Sequence, residues 1–123
     1  MLRTTARIGV VALAATGILV MGAARAQDPT MVDANHYKVT FENEAVRILK
    51  VTYGPKEKSV MHEHPNAIAV FLTDSTIKFN TPDGKSEERS VKAGQSAWTP
   101  AGKHLPENIG DKPLEVILIE LKK

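Results

Sequence analysis

From residue 36 onward, apolar and polar positions alternate in short runs, each closed off by Gly, Pro, Asn or Asp. Period-2 runs bounded by turn formers predict β-strands, because successive side chains on a strand point to opposite faces. They fall at residues 36–41, 45–53, 59–64, 67–73, 76–80, 87–91, 95–98 and 114–121. Turn formers recurring about every 8 to 12 residues are the rhythm of a sandwich or barrel. No segment after residue 26 repeats apolar residues at i, i+3, i+4 and i+7 over three turns, so no long amphipathic helix is expected and the class is all-β. Thr81-Pro82-Asp83-Gly84 is the strongest turn signal. Pro presets φ and Gly accepts a positive φ, which predicts a hairpin at the edge of the fold.

Residues 1–26 follow a different pattern. Arg3 and Arg7 precede an apolar block of 17 residues, 8–24, and Ala24-Arg25-Ala26 ends the segment before Gln27. A basic start, an apolar middle and a small-x-small end read as a signal peptide cleaved after Ala26. The block is thinned by Gly9, Thr16, Gly17 and Gly22 and is shorter than the roughly 20 residues of a spanning helix. An uncleaved N-terminal anchor is the alternative. Cleavage implies a periplasmic or secreted chain with no membrane attachment, a polar flexible arm at 27–35 and one domain at 36–123.

Charge changes the picture once the leader is set aside. All 16 Lys and Arg against 14 Asp and Glu give +2, but three of the Arg lie in the leader, which leaves 13 against 14, or −1. A near-neutral domain without a basic stripe excludes a nucleic-acid partner on electrostatic grounds. Cys is absent, which removes thiol nucleophiles, disulfides and thiolate metal sites. Any metal must therefore sit on His, carboxylate or carbonyl groups.

Two of the four His form His62-Glu63-His64 within one expected strand. Alternation puts both imidazoles on one face and Glu63 on the other, with the two Cα atoms about 6.6 Å apart. Rings so placed can converge on one ion; equally, they can be exposed strand residues or a hydrogen-bonded core pair. A second cluster runs from Gly94 through Trp98, Pro100 and Gly102 to His104, with Asn108 four residues later.

Together these residues resemble the two motifs of the cupin superfamily. Gly54, His62 and His64 match the first motif, and Gly94, Pro100, Gly102, His104 and Asn108 match the second. The likeness covers residues 45–121. Gly54 lies two residues further from His62 than is usual, and one residue separates Gly102 from His104 where two are common; turns can absorb both shifts. The resemblance implies a single antiparallel β-barrel, a double-sheet jelly roll, with one divalent metal ion on His62, His64 and His104. The family's glutamate falls at Ile68 or Ala69 here, and neither can bind a metal. Three neutral imidazoles suit Fe, Zn, Mn, Ni or Cu, and proton competition is expected to weaken binding near the ordinary His pKa of about 6.5.

The family holds three-His dioxygenases beside non-catalytic proteins, so the fold narrows function poorly. Three readings fit the same residues: a metal-dependent, dioxygenase-like enzyme acting on a small organic molecule, a non-catalytic periplasmic ligand- or metal-binding module, and a metal-free barrel. A homodimer is expected, since edge strands such as 36–41 or 114–121 need covering. Trp98 is read as a core or barrel-mouth residue, His36 as a surface residue, and Asn108 as a turn or strand-end hydrogen-bonding group. Arg47 and Lys50 fall on opposite faces of one strand, so that one can reach the cavity and bind an acid.

Overall fold

A computed structural model describes residues 27–123, and the expected leader lies outside them. The described chain is one helical turn and nine strands: α1 (Pro29–Val32), β1 (Tyr37–Glu42), β2 (Val46–Tyr53), β3 (His62–His64), β4 (Ala67–Phe71), β5 (Ser75–Asn80), β6 (Ser86–Val91), β7 (Ser96–Thr99), β8 (Gly102–Asn108) and β9 (Leu114–Leu121). They form two antiparallel sheets, in the orders β1-β2-β9-β4-β7 and β3-β8-β5-β6. This is the all-β double sheet that alternation predicted.

Between the sheets lies a core supplied in phase by each strand. Leu49, Val51 and Tyr53 come from β2, Ala67, Ala69 and Phe71 from β4, and Leu114, Val116 and Leu118 from β9, met by Ile77 and Val91 from the other sheet. Removing such side chains from water stabilises the fold by about 1.5 to 3 kcal/mol for each large aliphatic residue. The Thr81-Pro82-Asp83-Gly84 turn joins β5 to the edge strand β6, with Gly84 at φ 83°. That is a left-handed conformation which glycine adopts without a Cβ clash.

The strand β8 escapes the alternation pattern because Gly102 and Pro106 interrupt it, yet it pairs on one side with β3 and on the other with β5. Pro106 lacks an N–H but contributes its carbonyl, which accepts from the Ser59 N–H at 2.9 Å.

Four expectations need correction. The strand at 114–121 is not an edge: β9 lies between β2 and β4, and the edges of its sheet are β1 and β7. Trp98 is neither in the core nor in the cavity, being 54% exposed on the outward face. It ends a cross-strand row, Phe41–Ile48–Ile119–Ile68–Trp98, that runs over all five strands. A β-bulge between Val39 and Phe41 turns Phe41 onto that face.

The polar segment 27–35 is docked on the domain. Asp28 caps α1 through Thr30, Pro29 is buried, and the Gln27 carbonyl accepts from the Glu63 N–H at 2.9 Å. Its carboxylates find partners on the domain, a tie that hydrophobic patterning does not register. Finally, His36 is only half-exposed: it stacks on Tyr53 at 4.6 Å and bonds Asp33 at 2.8 Å and Glu57 at 2.7 Å.

Candidate metal centre

Strands β3 and β8 pair with His62 directly opposite His104. Residues paired across two strands share a face, and His62 and His64 share one by alternation, so all three imidazoles point between the sheets. Their ligand-capable nitrogens lie within 4.8 Å of one another, and the ring centroids are 4.6 to 5.0 Å apart. Glu63 projects the other way and is exposed.

Hydrogen bonding settles which nitrogen of His62 is free. Its Nδ1 lies 2.8 Å from the Val60 carbonyl, which only accepts, so Nδ1 carries the proton and Nε2 keeps a lone pair. That Nε2 stands 2.9 Å from Nε2 of His64 and 3.2 Å from the Tyr37 hydroxyl. Nε2 of His104 is buried with no partner among the described residues. A buried polar atom without a partner costs about 1 to 3 kcal/mol, and in an otherwise paired site it marks a place for a bound group or ion.

Burial first, and then the neighbouring His64, lowers the His62 pKa to about 4. Burial with His64 and His62 lowers that of His104 to about 3. Both rings are therefore neutral at ordinary pH, the form that binds a metal. Their proton competition sets in well below the 6.5 expected for unperturbed histidine. Three imidazole nitrogens within 4.8 Å of one another are a donor set that fits a divalent transition-metal ion.

A cavity of about 310 Å³ adjoins the triad, with His64 and His104 in its wall. Val51, Ala69, Phe71, Leu114, Val116 and Leu118 make its five-stranded side apolar, and its polar lining is Tyr37, Tyr53, Ser90, Gln95, Thr99 and Arg89. Among the described residues no carboxylate lines it. The Tyr37 and Tyr53 hydroxyls bond each other, and burial raises both phenol pKa values, so both stay protonated. Of the two positions expected for the family glutamate, Ala69 faces this cavity and Ile68 faces outward.

The sequence did not flag Glu120. Its signal is a phase break: Glu120 follows Leu114, Val116 and Leu118 on the buried face of β9, where an acid is out of place. It is 2% exposed and bonds Nδ1 of His64 at 2.8 Å and Nε of Arg47 at 2.7 Å. Arg47 is in phase with buried Leu49, Val51 and Tyr53, and the acids it binds are the protein's own, Glu120 and Asp28. Lys50 pairs with Glu115 on the outward side. Asn108 is a strand-end group: its Nδ2 donates to the Gly54 and Lys112 carbonyls at 3.0 and 2.8 Å.

Comparison with curated proteins finds no match. Among solved structures, a cupin domain from Bordetella pertussis Tohama I is 26% identical over 71% of this chain and 92% of its own, with a TM-score of 0.66. Oxalate decarboxylase of Bacillus subtilis, studied for its Mn(II) centres, is 26% identical over 63% of this chain and 22% of its own, with a TM-score of 0.50. A cupin family protein of double-stranded β-helix fold from Methanocaldococcus jannaschii shares the fold at 15% identity, covering 69% of this chain and 77% of its own, with a TM-score of 0.56. The family profile described as Cupin domain matches residues 49–120, a span that takes in both strands of the histidine triad, and the chain belongs to that family.

Proposed function

We propose that this chain is an exported cupin that holds one divalent metal ion on His62, His64 and His104 and binds a small organic molecule in the adjoining cavity. The carrying observation is the convergence of three ring nitrogens within 4.8 Å, one of them buried and unpartnered. When bound, the ion supplies Lewis acidity to a donor atom of the ligand, or redox chemistry if it is iron. The apolar walls exclude water and select a ligand with an apolar body. The two phenols, bonded to each other, leave one hydroxyl proton to donate beside the triad.

A dioxygenase-like enzyme and a non-catalytic binding module share this site. The second reading has one observation in its favour: among the described residues no carboxylate lines the cavity, so no carboxylate general base faces the ligand. The test is metal analysis of the untagged protein purified from periplasm, followed by anaerobic Fe(II) loading and oxygen-uptake measurements over a panel of small organic acids and phenols. One ion per chain with ligand-dependent uptake supports the enzyme, and one ion with ligand binding but no turnover supports the module. A periplasmic protein that neither carries nor takes up metal contradicts the proposal.

A further inference from the structure

We infer that Glu120 is a positioning residue for the metal centre, holding His64 in the tautomer that turns a bare Nε2 toward the other two histidines; this rests on the metal reading above. Glu120 and the His64 side chain are each 2% exposed. One carboxylate oxygen, Oε1, accepts from Arg47 Nε at 2.7 Å, and Arg47 is anchored in turn by Asp28, 2.6 Å from its Nη2. The other oxygen, Oε2, lies 2.8 Å from His64 Nδ1. With the first oxygen committed to a guanidinium, the second accepts the Nδ1 proton, and in the neutral, metal-binding form of the ring the His64 Nε2 is left with a lone pair.

His62 is fixed the same way by the Val60 carbonyl at 2.8 Å. With both rings in the neutral form that a metal requires, two lone pairs then face each other across 2.9 Å. That is unfavourable for two imidazoles alone, because neither has a proton to share. It is close to the spacing of two nitrogens held at about 90° on one cation with bonds of about 2.1 Å. A role in stability alone accounts poorly for Glu120, since a buried ion pair is weak evidence for stabilisation. An acid on the far nitrogen of a ligating imidazole instead fixes ring orientation and raises ligand basicity. The placement also fits what β4 lacks. With Ile68 and Ala69 where the family's acid would stand, the negative charge enters from β9, paired across the sheet with Ala67, and sits one side chain behind the ion.

Two measurements on the metal-free mature chain test this, with Zn(II) as the probe. Nitrogen-15 spectra of the imidazoles at neutral pH report the tautomer of His64, and competition with a chromophoric chelator reports Zn(II) affinity. Wild type is expected to show His64 protonated at Nδ1. Glu120→Gln, which keeps the shape and loses the charge, is expected to show a mixture of tautomers and to bind Zn(II) about 10 to 100-fold more weakly. A purely structural glutamate would leave the tautomer unchanged in whatever fraction folds. Wild-type His64 protonated at Nε2, or Glu120→Gln binding Zn(II) within twofold of wild type, overturns the inference. The wild-type spectrum alone decides the first point if the variant does not fold. Failure of the metal reading is distinguishable, because wild type would then show the Nδ1-protonated ring and take up no Zn(II).

Discussion

Acidifying the metal-free chain from pH 7 to pH 5 should destabilise it by an amount that follows from two buried rings. In the unfolded chain His62 and His104 take up protons near the ordinary value of 6.5, whereas the fold holds them to about 4 and about 3. Between those values the unfolded state binds more protons than the native state, so stability rises with pH and falls as acid is added. At about 1.4 kcal/mol per pH unit, the 1.5 units between 6.5 and pH 5 cost about 2 kcal/mol per ring and about 4 kcal/mol for the pair. A domain of this size has roughly 5 to 15 kcal/mol in all, so the loss is a large fraction. His36 works in the opposite sense. Burial disfavours its charge, but hydrogen bonds to Glu57 and Asp33 outweigh that and raise its pKa, so its contribution is present in acid and lost as pH rises. Urea unfolding by circular dichroism in a His36→Gln background removes that opposing contribution. Stability that is flat or increasing from pH 7 to pH 5 in that background would refute the reasoning.

Other outcomes follow from the same geometry. Ala69→Glu, which points into the cavity, should tighten Zn(II) binding, while Ile68→Glu, on the outer face, should leave the affinity within about twofold; chelator competition on both variants separates the two faces. Tyr37→Phe leaves the buried Tyr53 hydroxyl without that bond and should cost about 1 to 3 kcal/mol in urea unfolding, with metal stoichiometry unchanged. If the apolar row Phe41–Ile48–Ile119–Ile68–Trp98 covers a second copy of the chain, light scattering should give a dimer mass for wild type and a monomer mass for Trp98→Lys.

Strand alternation made the barrel legible, since seven of its nine strands lie within a residue or two of where period-2 runs and turn formers place them. The other two departures have local causes. Gly102 and Pro106 hide β8, which is held by its pairing with β3 and β5, a long-range property that no local pattern carries. The expected run at 59–64 shrinks to β3, His62–His64, leaving Ser59 to bond the Pro106 carbonyl on its own. Position within a sheet was less legible still. Strand β9 is apolar on both faces, Leu114, Val116 and Leu118 inward and Ile117, Ile119 and Leu121 outward, which suits a central strand as well as a covered edge. Trp98 looked like core because large aromatics usually are, but strand phase puts it opposite Ile68 on the outside.

The site itself divides along the same line. His62 and His64 shared a face by spacing alone, and His104 entered through its motif. Glu120 and Arg47 were visible only as charged residues in phase with buried neighbours. Asp28 and Asp33, in a segment without hydrophobic pattern, could not be tied to the domain until their partners Arg47, His36 and Ser59 were in place.

The central claim is that three histidines share one ion, and the most direct test is the metal-to-chain ratio after loading with Zn(II) and gel filtration at neutral pH. Wild type and His36→Ala should each retain one ion per chain, while His62→Ala, His64→Ala and His104→Ala should each lose most of it, because a three-ligand site has no spare donor. A His104→Ala protein that retains one ion per chain would contradict the account.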